Sequence, residues 1–110
     1  MQKKISELTN DQIQKLKEDF EVLEFSHDFN VVYENQIPNT GVILIEGEIE
    51  LTKRSKVMRK IFPLCLLGIH YLINNEQVPL GCKVKKDSKV ILIGKSEILE
   101  ILGNSKSKYF

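Results

Sequence analysis

The chain has 110 residues, of which 42% are hydrophobic and 28% charged, with a formal net charge of +1. That length fits one domain over 1–110 with an ordinary apolar core. No run approaches the roughly 20 apolar residues that span a bilayer, and Met1-Gln2-Lys3-Lys4 leads into polar residues rather than into the apolar stretch of a signal peptide. The expectation is a cytoplasmic protein without a membrane partner.

The small net charge hides an asymmetry. Residues 1–50 hold 4 Lys/Arg against 11 Asp/Glu, a balance of −7, and residues 51–110 hold 12 against 4, a balance of +8. Such a split can give a basic face for an acidic partner, or it can come from acidic strands pairing with basic ones across a sheet. The pairing account is expected here. The two cysteines, Cys65 and Cys82, lie among apolar or strand-forming residues and read as reduced core residues. With two isolated histidines they do not supply the clustered ligands of a zinc site, so no metal and no cofactor is expected.

Taken in order, Thr9-Asn10-Asp11-Gln12 fits a capping box, and Ile13, Leu16 and Phe20 follow at helical spacing. The spacing predicts a helix over Asn10–Asp19. Val22, Leu23 and Phe25 suggest a strand, Ser26-His27-Asp28 a turn, and Phe29 to Glu34 a second strand. Residues 35–41 are dense in turn formers. Val42 to Ile45 is a continuous apolar run, and polar and apolar residues alternate from Glu48 to Thr52. Gly47 at positive φ would join these two strands as a hairpin.

Lys53-Arg54-Ser55-Lys56 makes the tip of the next hairpin, and Val57 to Phe62 returns antiparallel. Lys56, Arg59 and Lys60 would then face the glutamates. Residues 67–80 form a non-strand insertion. Gly81 to Lys86 and Ser88 to Ile93 read as strands, and Ser96 as the N-cap of a last helix ending near Gly103. Residues 104–110 read as a flexible tail. The fold class is therefore mainly β: an antiparallel roll or jelly roll of seven to eight short strands with a helix at each end.

Four pieces in this order, "LTNDQIQKLKEDFEVLEF" (8–25), "VVYENQIPNTGVILIEGEIEL" (31–51), "LLGIHYLI" (66–73) and "KDSKVILIGKSEILEIL" (86–102), give the chain a resemblance to the cyclic nucleotide-binding domain. The resemblance covers most of the chain. It implies a β-roll whose insertion is the phosphate-binding cassette, with Gly68, Ile69, His70, Tyr71, Val78, Pro79, Leu80 and Cys82 at or near the ligand. In that family a glutamate after the cassette glycine holds the ribose, and an arginine further on pairs with the cyclic phosphate. Here the glutamate position falls on Ile69 and the arginine position at or near Val78, and Pro79 and Leu80 replace small residues.

From Leu67 to Leu80 there is no Lys or Arg, and the certain charge is Glu76. A cyclic phosphate keeps its negative charge, and burying it unpaired is costly. Arginine would answer that with a permanently charged, two-pronged donor, and Pro79 has no N–H to offer. The expectation is that cAMP and cGMP are not bound in the usual way. The apolar run from Ile61 to Ile69 either fills the pocket, with Ile69 and Val78 pointing inward, or offers an apolar surface to a partner or a second copy; filling is the favoured reading. His70 is expected as a half-exposed loop histidine, and His27 has no assigned role.

No nucleophile–base pair and no supported carboxylate pair is present, so no enzyme is expected. The cluster Lys53, Arg54, Lys56, Arg59 and Lys60 is a candidate interaction patch. No aromatic residue lies between Leu51 and Ile61, which argues against a nucleic-acid reader and for a solvated hairpin tip. The functional expectation is a non-catalytic regulatory or protein-interaction module, with an unidentified protein or a second copy as partner. The alternative is a sensor of a small molecule or atypical nucleotide with a retuned pocket.

Overall fold

A computed structural model of the chain describes residues 5–103. The predicted tail over 104–110 lies outside them. In chain order the elements are β1 (Ile5–Glu7), α1 (Asn10–Asp19), β2 (Leu23–Glu24), β3 (Phe29–Val32), β4 (Thr40–Glu46), β5 (Ile49–Lys53), β6 (Lys56–Ile61), β7 (Cys65–Leu67), α2 (Ile69–Asn74), β8 (Gly81–Val84), β9 (Lys89–Gly94) and α3 (Lys95–Gly103). They form two antiparallel sheets, one of five strands in the order β1-β7-β4-β9-β2 and one of four in the order β3-β8-β5-β6.

Helix α1 has the predicted bounds, and both halves of its capping box form. Gln12 N–H donates to Thr9 Oγ1 at 3.2 Å, and Thr9 N–H donates to Gln12 Oε1 at 2.9 Å. One face, Ile13 and Leu16, packs with Ile43, Ile45, Leu66 and Ile91. These last four belong to the five-stranded sheet, so α1 covers its outer face. The other face of that sheet sends Val42, Leu44, Cys65, Leu67 and Val90 into the roll against Ile49, Leu51, Cys82 and Val84 of the second sheet. Burial on both faces explains why Val42 to Ile45 is apolar without alternation. Strand β5 alternates, since the outer side of its sheet carries polar residues such as Glu50 and Thr52.

Among the described residues nine strands form where about seven to eight were expected. The added pair is β1 and β7, three residues each, joined as Ile5↔Leu67, Ser6↔Leu66 and Glu7↔Cys65. Three residues are too few to establish a period in sequence. A second correction concerns Gly47. It has φ +97°, as expected, but β4 and β5 do not pair. The turn carries the chain from one sheet to the other. Ser88 occupies the inside of that corner. Glu48 N–H donates to Ser88 Oγ at 3.0 Å, and Ser88 O–H donates to Glu48 O at 3.1 Å. A Cβ on Gly47 would lie 2.2 Å from Ser88 Oγ, so the site requires glycine for space as well as for φ.

The third correction is the start of α3. It follows β9 directly, and Gly94 N–H donates to Glu97 Oε1 at 2.9 Å. Glu97 thus satisfies a helix-start donor in the way expected of Ser96.

The hairpin of β5 and β6 turns through Arg54 (φ +52°) and Ser55 (φ +65°), two left-handed residues in the manner of a type I′ turn. Glu50 lies opposite Lys60 on one side and Lys83 on the other. Acidic and basic strands do pair here. Arg59, however, lies opposite Leu51, and Lys56 opposite Lys53. Lys85 adds ion pairs to Asp28 at 2.7 Å and Glu50 at 3.5 Å, and Lys89 one to Glu46 at 3.2 Å.

Candidate functional site

The insertion between β7 and β8 folds as a short helix and a return loop. Gly68 enters α2 at φ +81°, and nothing lies within 4 Å of a Cβ placed there. Backbone conformation, not crowding, demands glycine. Leu72 N–H then donates to Gly68 O at 3.0 Å. The helix ends at Asn75, also left-handed at φ +55°. Two backbone bonds dock the return loop onto the segment after β3: Asn35 N–H donates to Val78 O at 2.7 Å, and Val78 N–H donates to Gln36 O at 2.9 Å. The loop is thereby held across the mouth of the roll.

Under it lies a cavity of about 40 Å³. Gly68, Tyr71, Val78, Pro79, Leu80 and Cys82 line it from the insertion and β8, and Val42, Leu51 and Leu67 from the roll. Six of the eight cassette candidates therefore meet at one place. None of the lining side chains is charged, and Thr40 and Tyr71 are the members that carry a hydroxyl. Ligand pockets for small molecules run from about 300 Å³ upward, so the space left here suits a water molecule or two. Val78 is buried and Tyr71 and Leu80 pack against the roll's core cluster, which is how the volume is used.

Ile69 and His70 do not line the cavity. Ile69 packs with the clusters outside the five-stranded sheet, together with Phe20 and the Leu72–Ile93–Ile98 group. Its Cδ1 lies where a Cβ on Gly41 would approach to 2.7 Å. The expectation that Ile69 points inward fails because α2 turns about 100° per residue: Tyr71 takes the inward face, and Ile69, Leu72 and Ile73 take the face toward α3. That face anchors the insertion, and residue types alone did not distinguish it from the ligand face.

His70 stands half-exposed on the rim. Its Nδ1 accepts from Asn74 Nδ2 at 3.3 Å, and its Nε2 donates to Glu76 Oε2 at 3.2 Å. The amide group of Asn74 fixes that tautomer. Asn74 Nδ2 also donates to His70 O at 2.9 Å, and the imidazole meets Tyr71 edge-on at 5.4 Å. These contacts tie the rim together locally.

Cys82 shares the cavity wall, and burial pushes its thiol up to about 12. It is a packing residue by chemistry as well as by position, since the thiolate is the reactive form. Cys65 is also buried and reduced. Among the described residues no group of three or more His, Cys, Asp or Glu is placed to hold a metal ion, and no helix is long and apolar enough to cross a membrane.

The basic candidates Lys53, Arg54, Lys56, Arg59 and Lys60 come together on the hairpin at the edge of the four-stranded sheet, away from the cavity lining. Lys53, Arg54, Lys56 and Lys60 are exposed, beside exposed Val57 and Met58.

A helix-flanked antiparallel roll with an insertion across its mouth defines a class of small, mainly β folds. Comparison with solved structures makes it specific: the chain has the fold of cyclic nucleotide-binding-like domains. A structure described under a cyclic-GMP-dependent signalling pathway that regulates bacterial phytopathogenesis superposes with a TM-score of 0.74 at 14% identity, covering 94% of this chain and 85% of that one. The cyclic nucleotide-binding-like protein of Brucella abortus gives 0.64 at 25% identity, covering 87% and 86%. The catabolite activator protein of Thermus thermophilus gives 0.65 at 12% identity, and the chain spans 46% of its length. No family model matches the sequence, and no curated protein does.

Proposed function

We propose that the chain is a non-catalytic regulatory or protein-interaction module on a cyclic nucleotide-binding-like roll, and that it does not take cAMP or cGMP in the usual way. One observation carries the reading. The cavity at the cassette position holds about 40 Å³ and has no charged side chain in its lining. A cyclic nucleotide would need several times that space and a cation for its phosphate. Val78, at the position the resemblance gives to arginine, is 5% exposed and hydrogen-bonded through both backbone groups. Pro79 beside it offers no N–H.

The fold then serves as a surface. The basic hairpin, which carries Lys53, Arg54, Lys56, Arg59 and Lys60 on its two sides and tip, is the element we assign to an acidic protein partner. Like charges on β6 disfavour antiparallel self-pairing of that edge, a common protection against edge-to-edge association. The alternative, a retuned sensor, requires the loop over 75–80 to lift and enlarge an apolar cavity.

A thermal-shift screen across cyclic mono- and dinucleotides separates the two. Ligand at 100 times its Kd stabilises the folded state by about 2.7 kcal/mol, which for a domain of this size raises Tm by about 10 °C or more. A flat panel is expected. A shift with one cyclic nucleotide would replace the module reading with the sensor.

A further inference from the structure

Outside the roll, the solvent face of the four-stranded sheet carries a second hollow, of about 260 Å³. Asn30, Lys83 and Thr52 contribute to it from the adjacent strands β3, β8 and β5, Tyr33 and Glu34 from the chain after β3, and Arg54 from the hairpin tip. Two features brace it. Arg54 N–H donates to Glu34 Oε1, closing the tip onto the segment after β3. Gly81 sits opposite Thr52 in register, and a Cβ there would lie 2.9 Å from Thr52 Oγ1 and 3.3 Å from Glu34 N. Only a residue without a side chain lets these pieces draw together over β8.

The chemistry of the hollow is directional. Among the described residues neither Arg54 nor Lys83 makes an ion pair within 4 Å, although Lys83 lies opposite Glu50 in register and within the field of Asp28; in the lining of the hollow itself two cations stand with one carboxylate, Glu34, and that carboxylate already spends one oxygen on a backbone N–H. The ring of Tyr33 is 59% exposed beside them, a planar surface of the kind that retains an aromatic group. The second oxygen of Glu34 repels a further anion, which limits the ligand to one anionic group. We propose that this hollow binds a small aromatic anion, an aryl phosphate or aryl carboxylate, with the anionic group between Arg54 and Lys83 and the ring against Tyr33. The site is separate from the cassette cavity and does not depend on what that cavity does.

The test is an NMR titration of the ¹⁵N-labelled full chain with phenyl phosphate and, in parallel, benzoate, inorganic phosphate and phenol. Saturable shifts are expected over residues 30–34, 52–55 and 83 with the two aromatic anions, weakening as salt is raised. Inorganic phosphate, lacking the ring, should bind about threefold more weakly or worse, on the scale of an exposed aromatic contact, and neutral phenol should not saturate. Arg54→Asn tolerates the left-handed backbone at that position. Combined with Lys83→Gln it should weaken phenyl phosphate about tenfold, the sum of two exposed charge contacts, while Lys15→Gln, exposed on α1 over the other sheet, leaves binding unchanged. Both variants change exposed or half-buried residues and keep the fold, which the same spectra verify. The proposal is overturned by any of three results: no saturable binding to the wild type, unchanged binding in the double variant, or shifts centred on Leu67, Tyr71 and Val78. The last would instead report on the cassette cavity.

Discussion

Replacing Ser88 with alanine tests how the two sheets are joined. Ser88 is 1% exposed and makes two hydrogen bonds with Glu48 at the Gly47 corner. The two bonds are not equivalent. Glu48 O also accepts from Lys85 N at 3.0 Å, so it keeps a partner when the hydroxyl is removed. Glu48 N–H loses its acceptor. An orphaned buried donor costs about 1–3 kcal/mol, and because Glu48 is half-buried, water recovers part of that. The expected loss is about 1–2 kcal/mol, read as a drop in Tm of roughly 5–10 °C or a lower urea midpoint with an unchanged m-value.

Gly47→Ala should cost more, because the added Cβ would lie 2.2 Å from Ser88 Oγ at a φ of +97°. Ser88→Ala should not rescue it, since Ser88 Cβ and Cα would still lie at 2.6 and 2.7 Å. A Ser88→Ala protein melting within about 2 °C of wild type, or a full rescue in the double variant, would refute the account of the corner.

Two further outcomes follow from the ionisable groups. The Lys85 ammonium, and after it the Lys86 N–H, hold Asp28 below the usual carboxylate range. The unfolded state then binds the proton first as pH falls, so this contribution is present above the unfolded pKa near 4 and is lost on acidification through the lower folded value. Asp28→Asn should therefore flatten the acid limb of a stability-versus-pH curve measured by urea midpoint, and an identical limb would contradict it. Cys82, with its thiol raised to about 12 by burial, should react with a thiol reagent at pH 8 only as fast as the protein opens. Prompt labelling of Cys82 in native buffer, located by peptide mapping, would show that the cavity wall is accessible.

Much of this architecture is legible in the sequence. The Thr9–Gln12 box announced α1 with its bounds, because a cap is a local chemical device. The unbroken Val42–Ile45 run announced a strand buried on both faces. Positions 67–80 stood out as an insertion because neither period continues through them. What was hidden is long-range. A left-handed glycine at 47 suits a hairpin or a sheet-to-sheet corner equally, and the partner that marks the corner, Ser88, is bonded to Glu48 from 40 residues further on. Strand β7 pairs with β4 and with β1, and β1 with β7, partners that lie far away in the chain.

The same holds at the site. The absence of Lys and Arg from the insertion was readable, and so was its consequence for a phosphate. The direction of Ile69 was not, since a single turn of helix divides Tyr71 toward the cavity from Ile69 and Leu72 toward α3. The hollow of Tyr33, Arg54 and Lys83 draws on three separate stretches of chain, and nothing in any one of them signals the other two.

The most direct measurement is isothermal titration of the full chain with cAMP and with cGMP. The small cavity, with no charged side chain in its lining, predicts no measurable heat of binding at micromolar concentrations of either. Binding at micromolar affinity or better would contradict the central claim, because it would require the insertion over residues 68–80 to open and to supply a phosphate partner that its residues do not contain.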